Sequence, residues 1–157
     1  MIKNILMVCT GNTCRSPMAR ALMADLIQKD PVLRNAGIEV DSAGTAADGD
    51  AASDGAIQVM KEHGIDISGH ESKSLDKELI DWADIVLVMK SEHLGSVFGI
   101  SQEVGEKAHL LSEYVGERGD VPDPLDMGKE AYRECAASLK GLLIELVNKI
   151  KADIASA

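Results

Sequence analysis

Met7-Val8-Cys9-Thr10-Gly11-Asn12-Thr13-Cys14-Arg15-Ser16-Pro17-Met18-Ala19 is the stretch whose reading decides the fold. The apolar run Ile5 to Val8 reads as a buried strand. Ser16 and Pro17 read as the N-cap and first position of the helix that follows. The loop between them opens on a thiol and closes on a guanidinium. Backbone N–H groups at a strand-to-helix turn can converge on one point, and the helix N-terminus adds partial positive charge. Arg15 offers a planar fork for two phosphoryl oxygens. Such a field stabilises a negative charge on the Cys9 sulfur, to which the Ser16 hydroxyl can donate, and the thiolate is the nucleophilic form. A nucleophile at the base of an anion cradle is what transfer of a phosphoryl group to sulfur requires.

Length and composition bound the rest. The chain has 157 residues, 45% of them hydrophobic, which suits one domain over residues 1–157 with a core of its own. A formal net charge of −10 with no local basic patch argues against a nucleic-acid partner. No apolar run is long enough to span a membrane. Met1 to Val8 is too short for a signal-peptide core, so a cytoplasmic protein is expected. Three cysteines without framework spacing speak against structural disulfides.

Taken in order, strand one covers Ile2 to Val8 and helix one Pro17 to Lys29, ended by Asp30-Pro31. Ile38 to Ala43 alternates as strand two, and Gly44 to Gly49 is a small-residue loop. Helices are expected at Ala51 to Glu62 and Leu75 to Trp82, with irregular chain between. Ile85 to Met89 is a buried strand, and Ser91 caps a short helix carrying His93, Leu94 and Val97. Lys107 to Leu111 is the fourth strand. A loop rich in Gly, Pro and Asp runs from Glu113 to Met127, and Lys129 to Lys151 is the closing helix. Its apolar stripe includes Tyr132 and Cys135. This alternation indicates an α/β fold: a three-layer, doubly wound sheet of four parallel strands with helices on both faces. In such folds the site lies outside the C-terminal ends of the strands, where the Cys9 loop, the Gly44 loop and the segment after Met89 meet.

Phosphoryl transfer through sulfur also needs an acid for the leaving group and a base for the water that follows. Asp123, between Pro122 and Pro124, is the first candidate, with Asp120 and Asp126 behind it. Alone, Asp-Pro would read as an ordinary turn. Cys14 is either a partner for reversible oxidation of Cys9 or a buried thiol at the helix start. His63, His93 and His109 lack metal-ligand company and read as structural or exposed.

Cysteine, five residues, arginine, serine at the extreme N-terminus resembles the low-molecular-weight protein tyrosine phosphatase family. Asp41-Ser42-Ala43-Gly44-Thr45, Ala83 to Met89 and Asp123-Pro124 extend the resemblance over nearly the whole chain. It implies a phosphatase that uses a phosphocysteine intermediate and no metal or organic cofactor. Cys9 would be the nucleophile, Arg15 the phosphate clamp and Asp123 the acid and then base. Thr10, Gly11, Asn12, Thr13, Cys14 and Ser16 would surround the phosphate. Ser42 would hold Asn12, and His70 would brace the same network. The partners implied are phosphorylated proteins, with the enzyme a monomer or weak homodimer.

The substrate is read from the loop and the groove wall. Tyrosine phosphatases of the family usually have an aliphatic residue where this chain has Thr13, Tyr in place of Leu125, and aromatic groove walls. The loop here, together with Gly119-Asp120-Val121-x-Asp123-Pro124, resembles the family's bacterial protein arginine phosphatases. Leu125 departs from that branch, which usually has Phe there. Phosphoarginine is therefore placed ahead of phosphotyrosine. An arsenate reductase of the thioredoxin-coupled kind would need further cysteines mid-chain, and none lies between Cys14 and Cys135. A phosphate-binding or redox-sensing module would not need Asp123.

Overall fold

Strand β1 (Asn4–Cys9) lies at the centre of the molecule, and Ile5, Leu6, Met7 and Val8 are all fully buried. A strand covered on both faces reads as a continuous apolar run, which is why no alternation marks it. Each such side chain contributes about 1.5–3 kcal/mol of burial free energy. The computed structural model describes all 157 residues. Strands β2 (Glu39–Gly44), β3 (Ile85–Val88) and β4 (Ala108–Leu110) complete one sheet in the order β2-β1-β3-β4, every pair parallel.

The period of two divides the core into two halves. Ile5, Met7, Cys9, Ile85 and Leu87 point to one face. There they meet α1 (Arg15–Lys29), α3 (Asp54–Glu62) and α7 (Lys129–Ala155). Leu6, Val8, Val86, Val88 and Leu110 point to the other, against α4 (Lys77–Trp82), α5 (Glu92–Ile100) and the 3-10 segment Gln102–Lys107. Sheet and two helical layers make the three-layer fold expected from the sequence. The chain goes from β1 to β2 on one side, then crosses to β3 on the other. The switch point between β1 and β3 opens a crevice at their C-terminal ends. Cys9 is the last residue of β1, and the segment after Val88 forms the crevice's opposite lip.

Several boundaries differ from the sequence reading, each for a local reason. Helix α1 begins at Arg15 with Cys14 as its N-cap, so Ser16 and Pro17 lie inside its first turn. Proline is tolerated there because first-turn N–H groups have no partner within the helix. The Ser16 hydroxyl is unavailable for capping because Cys9 and Asn12 engage it. Asp30-Pro31 ends α1 but also starts a further short helix, α2 (Pro31–Asn35), where the Asp30 carboxylate accepts from the Val32 N–H. Helix α3 starts at Asp54 rather than Ala51, capped by the Ser53 hydroxyl. Ser91 makes no side-chain cap for α5, and a one-turn helix α6 (Leu111–Tyr114) follows β4. A Cβ on Gly55 would stand 2.4 Å from the Tyr132 ring, so α3 and α7 pack through this glycine.

Candidate active site

The site starts where β1 ends. The backbone N–H groups of Thr10, Gly11, Asn12, Thr13, Cys14 and Arg15 make no hydrogen bond within the protein. Consecutive unpaired donors are uncommon in folded chains and suit an anion. The carbonyls of this loop are engaged instead. Thr45 N–H donates to the Cys9 carbonyl at 3.0 Å, Ala46 N–H to that of Thr10 at 2.9 Å and Ser53 N–H to that of Thr13 at 2.9 Å. Gly44 allows the approach, since a Cβ there would lie 2.5 Å from the Thr10 carbonyl oxygen.

Asn12 is fully buried with φ of 54°, the left-handed region that most residues avoid. Its Nδ2 donates to Ser16 Oγ at 2.8 Å and to Ser42 Oγ at 3.0 Å, and its Oδ1 accepts from Lys73 N–H at 3.1 Å. His70 Nε2 donates to its carbonyl at 2.7 Å. The Ser16 hydroxyl, with a lone pair occupied by Asn12, lies 2.9 Å from Cys9 Sγ, which fits O–H donation to the sulfur. Ser42 and His70 thus both stand in contact with Asn12, one on β2 and one on the irregular chain before α4.

Arg15 is 4% exposed, and its guanidinium lies along the opposite lip. Nη1 donates to the Val121 carbonyl at 3.3 Å, and Nη2 lies 3.5 Å from Thr10 Oγ1 and 3.6 Å from Asp123 Oδ2. These long contacts leave the fork able to exchange partners. Asp123 is half exposed, its Oδ1 accepting from Leu125 N–H at 3.1 Å. Its loop is fastened to the segment after β3 by Val121 N–H on the Met89 carbonyl and by Asp120 Oδ1, which accepts from Ser91 N–H at 2.8 Å. Asp120 therefore serves as a tie, and Asp126 takes a left-handed turn at φ 62°. Beside Asp123 lies a cleft of about 350 Å³ whose lining includes Pro122, Pro124, Met127, Ala131 and Glu134, and no aromatic residue.

Cys9, Cys14 and Cys135 are all free thiols. Cys14 Sγ lies 3.2 Å from Ser53 Oγ and 3.3 Å from the Tyr132 hydroxyl. Burial and the neighbouring Cys14 push the Tyr132 phenol above its ordinary pKa. Burial pushes the Cys135 thiol up to about 12, which keeps it protonated and inert. Thr13 is half buried beside Cys14, and Leu125 is exposed on the acid loop.

The sequence reading passed over two features. His93, taken as structural or exposed, is 2% exposed and contacts the loop directly, its Nε2 lying 2.9 Å from Thr10 Oγ1. Tyr132, read only as part of an apolar stripe, reaches Cys14 with its hydroxyl. His93 follows the end of β3 by a few residues, and that position at the C-terminal edge of a parallel sheet was the available signal. No three His, Cys, Asp or Glu side chains converge to hold a metal, and no helix is long and apolar enough to cross a membrane.

A thiol at a topological switch point, followed by a loop of unpaired amides and a guanidinium, is the arrangement of a cysteine-dependent phosphatase. Residues 4–156 match the family described as low molecular weight phosphotyrosine protein phosphatase, and the chain belongs to it. It is 42% identical to a protein-arginine-phosphatase of Geobacillus stearothermophilus over 151 residues, covering 95% of this chain and 97% of that one. The solved YwlE arginine phosphatase from Geobacillus stearothermophilus superposes with a TM-score of 0.89 at 40% identity, covering 98% and 96% of the two chains. A low molecular weight protein tyrosine phosphatase from T. tengcongensis superposes with a TM-score of 0.85 at 41% identity, covering 94% and 99%.

Removing the Asn12 side chain leaves the left-handed backbone and the hydroxyls of Ser16 and Ser42 without their partner. Asn12→Ala is expected to lower stability by about 1–3 kcal/mol, the cost of orphaned buried polar groups. It is also expected to weaken phosphate binding, checked by urea unfolding and calorimetric titration. Stability and phosphate affinity equal to wild type would mean the network does not hold the loop.

Proposed function

We propose that this phosphatase hydrolyses phosphoarginine on proteins by two displacements through a phosphocysteine. The observation that carries the reading is the Cys9 sulfur, 2.9 Å from the Ser16 hydroxyl at the start of the loop whose amides at residues 10–15 are unpaired. The thiolate attacks phosphorus in line. The loop amides and Arg15 hold the three equatorial oxygens, where charge accumulates. Asp123, half exposed on the rim, protonates the departing nitrogen or oxygen. The carboxylate so formed then takes a proton from water as that water attacks the phosphocysteine. Sulfur leaves as thiolate, held again by Ser16, and phosphate departs.

Three features support arginine over tyrosine. Thr13 places a hydroxyl in the loop where a branched alkyl group would favour a phenyl ring. The cleft beside Asp123 carries the carboxylates of Asp123 and Glu134 and no aromatic ring for stacking. The Geobacillus relative is named for arginine. The alternative, phosphotyrosine, is favoured by the similarly close T. tengcongensis structure, while Leu125 fits neither branch. The reading further takes residues 1–157 as one domain acting on phosphorylated proteins as a monomer or weak homodimer. Free thiols suit a reducing compartment, in keeping with a cytoplasmic location.

Cys9→Ser is expected to abolish turnover while still binding phosphate. Asp123→Asn should slow poorly activated substrates by about 10²–10⁴-fold, the usual worth of a positioned acid, and leave phosphate affinity within a few-fold. Turnover of such substrates unaffected by Asp123→Asn would remove the acid assignment.

Paired assays on phosphoarginine and phosphotyrosine peptides separate the two substrates. Wild type should prefer phosphoarginine and Thr13→Ile should shift the ratio toward phosphotyrosine; a wild-type preference for tyrosine that the substitution leaves alone defeats the arginine reading.

Oxidation is expected to act on the same sulfur. Peroxide converts the Cys9 thiolate to a sulfenic acid, and the Cys14 thiol displaces its oxygen as water to give a disulfide. Mass spectrometry after peroxide should find the Cys9–Cys14 peptide pair, restored to thiols by reductant. Overoxidised Cys9 without that pair argues against it.

A further inference from the structure

His93 enters none of the steps above, yet it is among the few buried polar side chains and lies against the loop. Both ring nitrogens are engaged. The backbone N–H of Lys90 lies 3.1 Å from Nδ1. An amide N–H can only donate, so Nδ1 must accept, and a neutral ring then carries its hydrogen on Nε2. That hydrogen points at Thr10 Oγ1, 2.9 Å away. Arg15 Nη2 also approaches this oxygen, at 3.5 Å. Two donors on one hydroxyl occupy its lone pairs, and the Thr10 hydrogen is left to donate elsewhere. Thr10 itself is exposed at the mouth of the loop.

We infer that His93 is a positioning residue: as a neutral, Nε2-protonated ring it fixes the Thr10 hydroxyl as an acceptor toward the protein and so as a donor toward the bound oxyanion. The inference rests on the cradle of residues 9–15 being the phosphoryl site. It adds to that site a donor set by a ring on the far side of the crevice. It also ties the loop after β1 to the segment after β3, which Asp120 in turn ties to the acid loop.

The groups facing the ring act in both directions. Burial holds its pKa below the ordinary imidazole value; Arg15 on α1 and Lys90 beside it act the same way, while Glu92 and Asp120 oppose them. The neutral form therefore prevails at neutral pH. As pH falls through the lowered pKa, Nδ1 gains a hydrogen that faces the Lys90 N–H, and a cation forms beside Arg15. The contact with Lys90 is then lost, and the ring no longer holds its place against Thr10.

Substitutions distinguish positioning from packing. Glutamine can set an N–H near the place of Nε2, whereas asparagine is too short. His93→Asn and Thr10→Val are each expected to weaken sulfate binding and kcat/KM by about 10-fold, the scale of one lost hydrogen bond to a charged group. His93→Gln is expected to recover most of both. The double variant His93→Asn/Thr10→Val should be no worse than either single one, since both remove the same interaction. Sulfate keeps its charge across the range, so a loss of affinity between pH 7.5 and 5 that is larger in wild type than in His93→Gln reports the ring. Nitrogen-15 NMR of the wild-type ring, which needs no substitution, should show the neutral Nε2-protonated tautomer at pH 7.5. Wild-type sulfate affinity in His93→Asn or Thr10→Val, additive losses in the double variant, or a charged or Nδ1-protonated ring at pH 7.5 would each overturn the inference. Sulfate binding does not need Cys9, so these results stand apart from whether Cys9→Ser abolishes turnover.

Discussion

The side chain of Asn12 is the joint on which the site depends. Most non-glycine residues avoid the left-handed region, asparagine less than others, and here three side-chain hydrogen bonds and one to its carbonyl hold it there. They reach Ser16 on α1, Ser42 on β2, Lys73 on the chain beside β2, and His70. His70 and Lys73 share one segment, and otherwise these partners are far apart in sequence and meet only through the fold. The turn is therefore stable only when sheet, helix and the 70–74 segment are all in place. It leaves the loop's N–H groups free and spends its carbonyls on neighbours, and that division of polar groups makes the loop receptive to anions.

The two lips of the crevice differ in chemistry because they come from opposite sides of the switch point. On the β2 side the contacts are made by small residues and amides: Gly44, Ser42 and the N–H groups of Thr45 and Ala46. They fix shape. On the β3 side stand His93, Arg15 and the acid loop with Asp120 and Asp123, and there the charges gather. Arg15 spans both, since its backbone opens α1 while its guanidinium lies under Val121. The acid loop is anchored by backbone and carboxylate bonds at Val121 and Asp120, yet Asp123 itself stays half exposed. A firmly seated stem with a wet tip suits the acid and base role proposed for Asp123.

Much of this was legible in the chain. Ile5 to Val8 and Ile85 to Val88 are short apolar runs of the kind a doubly covered strand produces, and the Cys9-to-Arg15 spacing marked the loop whose N–H groups the structure leaves unpaired. What was missed has a common cause. Ser16 has the composition of an N-cap, but its hydroxyl is claimed by Cys9 and Asn12, so tertiary contacts overrode local preference. Asp30-Pro31 stops one helix and begins another, and the dipeptide looks the same in either role. His93 gave no local pattern at all. Its significance arises from Thr10, eighty-three positions earlier in the chain, through the parallel pairing of β1 with β3. Tyr132 likewise fits an apolar stripe until its hydroxyl is seen against Cys14.

The hydroxyl of Tyr132 on Cys14 bears on the order in which the molecule can assemble. Cys14 closes the loop after β1, while one support of that loop lies on α7, 118 positions further along. Until α7 docks, Cys14 lacks that support and α3 has no ring against Gly55. A partly folded chain with its sheet and α1 already in place thus still carries an unfinished receptor. Undocking of α7 would for the same reason be felt at the loop after β1, on the other side of the fold's connectivity.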